Sequence, residues 1–344
     1  MLLVLMEVGQ ICYFLINIKD ITAMAATMST ISTTFQAIFK SSIIFFKSQK
    51  IIEILNTIEK QFWTAAEVNQ QVKRKLRFNS RLVVCSMVMI LLSAFTFGIG
   101  LLSKPLREGV REFPLSSLYP FDLRQSPFYE IVYAVQCFTD FYIAIICICG
   151  HDDLFLAICF HCMTQFIILK ETFIKVTRRN VNLVQSKRKF AKDNLERRKM
   201  YLKCIEHHIL LLRIYNDIER IFSMSNFVQL FSSGSAICVS SFLLAMTKKA
   251  QLVSLSSYCF GHILQLFLCC SAANELSYES QNLASFAFSS NWYRNKDMVM
   301  VLMLAQKPKK LSAMGIVEIN YATFISVLKL SFSLYTLLVK IVAK

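Results

Sequence analysis

Apolar residues run along this chain in long blocks. Residues 82 to 103, 221 to 247 and 250 to 274 contain no Asp, Glu, Lys or Arg, and each reaches or exceeds the roughly 20 residues that cross a bilayer as a helix. Four further blocks carry a few charges: 2 to 18 with Glu7, Ile21 to Phe46 with Lys40, Phe128 to about Ile174 with Asp140, Asp152 and Asp153 in its interior and Glu130, Lys170 and Glu171 near its ends, and Gly315 to Val339 with Glu318 near its start and Lys329 in mid-span. The pattern predicts an all-α polytopic membrane protein of seven transmembrane helices.

Several blocks run on past the membrane. Ile51, Ile54, Leu55, Ile58 and Phe62 keep helical spacing after span 2, and Leu195 to Phe222 leads straight into span 5. A polar amphipathic helix from Phe286 to Gln306 is expected before the last span, ended by Lys307, Pro308, Lys309 and Lys310, where Pro308 interrupts any continuous helix. The expected layout is spans 1 and 2 in 1–46, a helical extension and basic loop in 47–81, span 3 in 82–103 with a flexible end at Gly98 and Gly100, and a proline-containing loop in 104–127. A long span 4 with its extension follows in 128–175, then a basic loop and helix in 176–220, spans 5 and 6 in 221–274, an anchor helix in 275–312 and span 7 in 313–344.

Charge sets the expected orientation. Lys73, Arg74, Lys75, Arg77 and Arg81 close one loop, and Lys187, Arg188, Lys189, Arg197, Arg198 and Lys199 crowd another. Basic loops stay on the cytoplasmic side, so the N-terminus is expected inside and the C-terminus outside. This inverts the G-protein-coupled receptor arrangement, and that family's Asp-Arg-Tyr and Asn-Pro-x-x-Tyr patterns are missing. The formal charge of +16 over 344 residues therefore reads as membrane topology, with no nucleic-acid partner expected. Span 1 opens at Met1 without a polar lead-in, which is the expectation of an abbreviated N-terminus.

Candidate chemistry is sparse. Most of the 12 Cys lie inside spans, where they behave as small apolar residues. Cys204, Glu206, His207 and His208 form one cluster resembling a metal site, but adjacent histidines on a helix point about 100° apart. No metal, cofactor or enzyme activity is expected. Lys329 stands in the last span beside Ser326, Ser331, Ser333 and Thr336, and a lipid-bathed helix has no use for a charge there, so that span is expected to face protein or water. Asp140 reads either as a polar point in a cavity wall or as an interfacial carboxylate.

Four stretches carry a family resemblance. Tyr119, Pro120 and Phe121 with Ser126, Pro127, Tyr129, Tyr133 and Gln136 form the first, and Asp153, Leu154, His161 and Gln165 the second. Cys204, Ile205, His208, Leu211 and Phe222 form the third; Ala284, Trp292, Pro308, Gly315, Phe324, Leu328, Lys329, Ser331, Tyr335 and Leu338 the fourth. In this order they resemble the insect odorant receptors, a seven-transmembrane ligand-gated channel family, and a ligand-tuned subunit more than the shared co-receptor.

The resemblance implies a heterotetrameric, non-selective cation channel formed with the odorant receptor co-receptor in the plasma membrane of olfactory sensory neurons. It implies contact with membrane lipid and a small volatile apolar ligand. Carried over onto this chain, it places the ligand among Met24, Thr27, Met28, Phe95, Ile99, Tyr133, Gln136, Tyr258 and His262. The pore and gate fall on Lys329, Ser333, Leu337 and Ile341, and the subunit anchor on Trp292, Pro308 and Gly315. A gustatory receptor of the same superfamily and a G-protein-coupled receptor are the alternatives.

Overall fold

A computed structural model describes residues 2–64, 69–102, 113–118, 125–178, 187–246, 252–289, 296–305 and 309–342. Trp292, Pro308, Tyr119, Pro120, Phe121 and the side chain of Asp140 lie outside the described residues. Helix α1 spans Leu2–Ile16 and α2 Ile21–Gln61; between them Asp20 caps α2, accepting from the backbone N–H of Thr22 (3.0 Å) and Ala23 (3.2 Å). Helix α3 covers Gln70–Leu102, so the basic residues Lys73 to Arg81 begin this helix instead of sitting in a separate loop.

The fourth crossing is not one regular helix. α4 (Phe128–Tyr142) passes through a π-helical segment, Ile143–Cys149, into α5 (Gly150–Arg178). Backbone hydrogen bonds in such a segment run to the fifth residue, which stacks Ile143 over Ile148 and points both inward, where they are buried.

Helix α6 (Lys187–Met246) holds 60 residues and α7 (Leu252–Ser289) holds 38. At 1.5 Å per residue α6 is about 90 Å long, three times a bilayer's hydrocarbon thickness. Its charge-free stretch from residue 221 onward makes the crossing, and the part before it stands clear of the membrane. α7 carries the polar run after Asn274 within one helix to Ser289, and α8 covers Lys296–Ala305. Of the helix expected over Phe286 to Gln306, the parts 286–289 and 296–305 are helical, and 290–295 and Gln306 lie outside the described residues.

A two-stranded antiparallel ribbon, β1 (Ser312–Ala313) and β2 (Val317–Glu318), precedes α9 (Tyr321–Val342). It pairs Ser312 with Glu318 and Ala313 with Val317, and turns through Met314 (φ +55°) and Gly315 (φ +71°). Gly315 therefore belongs to a turn rather than to the last span. Asn320 starts α9, its side-chain oxygen accepting from Thr323 N–H at 2.9 Å. The ribbon is fastened to one face of α6. Lys309 donates to Asn216 (2.8 Å), Ser312 to Glu219 (2.7 Å), and Ser223 to the Ser312 carbonyl (2.8 Å). Asn216, Glu219 and Ser223 recur at helical spacing, as one face requires.

The main core runs from the crossings into the end of the bundle beyond the membrane. Ile51 and Ile54 from α2, Phe166 and Phe173 from α5, Tyr215 and Phe222 from α6, and Leu276 and Leu283 from α7 meet there with Leu311, Ala313 and Ile319 of the ribbon. Toward the other end the helices approach through small residues, as membrane helices do. A Cβ on Gly100 would stand 2.3 Å from Ser254 Cβ, and one on Gly261 would stand 2.5 Å from Ser93 Oγ. Gly100 is a contact point between α3 and α7, and α3 is helical through it. The expected flexible end is instead a close approach.

Candidate functional site

Four elements enclose a cavity with about 880 Å³ of empty space, part of it open to the outside. α2 contributes Thr30, Thr33 and Thr34; α3 contributes Ile90, Ser93, Ala94, Phe97 and Gly98; the π segment gives Ile143, Ile148 and Cys149; α7 gives Tyr258, Gly261, His262 and Gln265; and Leu115 adds a loop residue. The wall is chiefly apolar with a few polar groups, as small-molecule sites are. Three rings form one side: Tyr258 lies 4.5 Å from Phe97 and 4.5 Å from His262, centroid to centroid. The Tyr258 hydroxyl is 2.8 Å from Thr33 Oγ1 and donates to the Ser29 carbonyl at 3.1 Å, joining α7 to α2.

Beneath the cavity lies a buried ion pair. Lys40 Nζ stands 2.5 Å from Asp152 Oδ1 and 2.6 Å from Gln229 Oε1, and only 1% of its side chain is exposed. Gln265, a cavity residue, donates to the other Asp152 oxygen. Gln36 donates to the same Gln229 oxygen, and Gln229 donates to Ser233 at 2.6 Å. His151 Nδ1 lies 3.3 Å from Asp152. A charge removed from water is tolerated only when paired and hydrogen-bonded, and α2, α5, α6 and α7 each supply part of that set.

The residues expected to bind ligand separate into three groups. Tyr258 and His262 stand on the cavity wall. Gln136 is buried one layer behind, its side-chain oxygen accepting from the backbone N–H of Leu115 at 3.2 Å, so it positions a cavity residue. Thr27 is buried and donates to Ala23 O, Met24 and Tyr133 are half-buried, and Met28, Phe95 and Ile99 are 37%, 51% and 48% exposed. The cavity brings together none of these last six. Sequence reasoning passed over Thr30, Thr33, Phe97 and Gln265, and treated Lys40 as a mere interruption of span 2. The available signal was a lone cation in one span and an acid at the start of α5, opposite charges that need each other.

Lys329, Ser333, Leu337 and Ile341 fall every fourth position on α9, a stripe within about 120° of the helix circumference. All four are exposed, Leu337 at 54% and Ile341 at 53%. Ser331 is the buried residue of α9, donating to Gly234 O of α6 at 2.9 Å. Among the described residues no group of three or more His, Cys, Asp or Glu is placed to hold a metal. His207 instead stacks on Trp63 with ring centroids 4.2 Å apart, and its Nε2 donates to Gln165 Oε1 at 3.0 Å.

Five described helices are long and apolar enough to cross a membrane, with α1 a shorter apolar helix beside them. In class this is a polytopic all-α membrane protein with a cavity between its helices. A family model described as 7tm Odorant receptor matches residues 20–332, and the chain belongs to that family. Its members are receptors and not enzymes.

Odorant receptor 10 of Aedes albopictus is 27% identical over 248 residues, 68% of this chain and 62% of that one. Odorant receptor 33c of Drosophila melanogaster is 30% identical over 162 residues, 44% of this chain and 42% of that one. The matched stretches span less than two thirds of either relative. In three dimensions the chain is similar to the insect olfactory receptor OR5 from Machilis hrabei, with a TM-score of 0.81 at 15% identity, covering 99% of this chain and 87% of that one. The same receptor in complex with eugenol gives a TM-score of 0.79 at 14% identity, covering 99% and 88%. At such identities the likeness speaks for the fold.

Proposed function

We propose that this chain is the odorant-tuned subunit of a non-selective cation channel, assembled as a heterotetramer with the odorant receptor co-receptor in the plasma membrane of olfactory sensory neurons. The observation that carries the reading is α9. It is apolar enough to cross a membrane, yet only 6% of its apolar stretch is buried, a share that α3 matches, so it is the polar positions on the exposed face of α9 that set it apart. Its exposed stripe holds Lys329 and Ser333, which lipid would penalise and which a water-filled conduit or a neighbouring subunit would accept. Apolar rings gate such conduits by dewetting, the role assigned to Leu337 and Ile341.

The basic residues of α3's first turns and of 187–199 support an N-terminus inside and a C-terminus outside. The cavity between α2, α3, the π segment and α7 takes the volatile ligand, a reading that fits the eugenol complex of the Machilis receptor. Coexpression with an insect odorant co-receptor tests it. Cation currents evoked by volatile compounds and dependent on this chain are expected. Currents that are the same without the chain, or a C-terminal tag shielded in intact cells, overturn the reading.

A further inference from the structure

The polar groups of the cavity wall are not equally free, and that inequality specifies a ligand. Thr30 donates to Thr27 O at 2.9 Å, Thr34 to Thr30 O at 3.0 Å and Ser93 to Ile90 O at 2.9 Å. Thr33 Oγ1 lies 2.9 Å from Ser29 O and 2.8 Å from the Tyr258 hydroxyl, which is itself 3.1 Å from the same carbonyl, so both protons stay within that triangle. Each of these hydroxyls has placed its proton on the protein, and what it turns to the cavity is a lone pair. Gln265 is held by Asp152.

His262 differs. It is 93% buried, with a relative exposure of 7%, it lines the cavity, and its ring makes no hydrogen bond among the described residues. Its Nδ1 is enclosed without a partner. The Tyr258 ring packs edge-on against it, so the imidazole is fixed by an apolar contact and not by a polar one. A buried polar group left unpaired is a standing penalty that a partner removes.

We infer that the cavity is selective for small, mostly apolar molecules carrying a single hydroxyl, an alcohol or a phenol, which His262 receives. This rests on the ligand-gated channel reading above. An imidazole in its neutral form offers one donor and one acceptor, and a hydroxyl offers both as well. Whichever tautomer His262 adopts, an O–H group has the complementary half to give it, and its other half meets a threonine lone pair or the ring. An ether or carbonyl oxygen can only accept, and it satisfies one tautomer alone. A hydrocarbon leaves the ring unpaired. Carboxylates and ammonium groups are disfavoured for a different reason: Lys40 and Asp152 already neutralise each other at 2.5 Å below the cavity, so neither is left to balance a charged ligand.

The test uses the full chain coexpressed with a co-receptor and a panel of volatiles matched in number of non-hydrogen atoms. Octanol, heptyl methyl ether and nonane form one set; eugenol and its hydroxyl-free isomer 3,4-dimethoxystyrene form another. In the unaltered chain the hydroxyl member of each set is expected to activate at about tenfold lower concentration or better, the size of one buried hydrogen bond. His262→Phe is expected to erase that difference, while His262→Gln, which keeps a donor and an acceptor, retains part of it. Ethers or hydrocarbons as potent as the hydroxyl compounds on the unaltered chain overturn the inference without any variant having to fold, as does an undiminished preference in a surface-expressed His262→Phe. Silence to every compound, with the unaltered chain at the cell surface, overturns the channel reading itself and this inference with it.

Discussion

Lys40 of α2 and Asp152 of α5 close an ion pair of 2.5 Å between two helices of the bundle, 112 residues apart in sequence. The pair lies in a network that begins at the cavity residue Gln265, reaches Gln229 and Ser233 of α6, and ends one residue from Gly234, whose carbonyl accepts from Ser331 of α9. Removing one partner strands the other. Lys40→Met or Asp152→Asn is expected to destabilise the fold by about 3–5 kcal/mol, whereas the double replacement Lys40→Met with Asp152→Leu restores much of the loss. Thermal unfolding of the detergent-solubilised chain checks this; a double variant no better than either single one counts against it.

Leu337 and Ile341 lie exposed on one stripe of α9. If they form the dewetted constriction, Leu337→Asn wets it, and unliganded leak current rises severalfold while the rank of agonists stays unchanged. Phe97 stands on the cavity wall with its ring 4.5 Å from that of Tyr258, and Phe97→Leu is expected to change agonist rank with little effect on leak. Recording both variants with and without ligand distinguishes the roles, and the opposite pattern removes both assignments.

His207 and His208 stand about 21 Å along α6 before its charge-free crossing, outside the membrane. Burial, and for His207 also the neighbouring His208, lowers each ring from 6.5 to about 4. The unfolded chain takes up protons near 6.5 while the folded chain resists until about 4, so stability is full above 6.5 and declines as pH falls between these values. A loss on the order of 1 kcal/mol per histidine is expected between about pH 7 and pH 5. Melting temperatures across that range test it, and His207→Gln should flatten the dependence.

Gly315 turns the ribbon at φ +71° with open space around it. A side chain there meets no neighbour but strains the backbone. Gly315→Val is expected to cost about 1–2 kcal/mol and Gly315→Asn appreciably less, since asparagine tolerates this conformation. Surface expression ranked glycine, asparagine, valine is the expected outcome; equal expression of all three would show that the turn is not a constraint.

How far the sequence could be read differs from element to element. The blank stretches 82 to 103, 221 to 247 and 250 to 274 announce membrane helices because a bilayer admits no unpaired backbone or unbalanced charge, and Ile51 to Phe62 announces its helix by period. The polar stripe of α9 was equally visible, since Lys329 in an apolar run demands an explanation. Of the residues suggested for the pocket, Tyr258 and His262 are on the cavity wall, and Gln136 supports Leu115 from behind it. The π segment has no periodicity of its own in Ile-Ala-Ile-Ile-Cys-Ile-Cys, so its turning of Ile143 and Ile148 into the cavity was not legible.

By itself, then, the amino-acid order determined the helices, the number of crossings it predicts and the side on which basic residues are expected to remain, because these follow from local transfer energies between water and lipid. Tertiary structure alone decided which threonines face the cavity, that Lys40 meets Asp152, that Gly100 and Gly261 are points of close approach, and that a ribbon is fastened to Asn216, Glu219 and Ser223. Those relations depend on the rotation and depth of one helix against another. Side-chain packing across distant segments sets both, and no run of neighbouring residues encodes it.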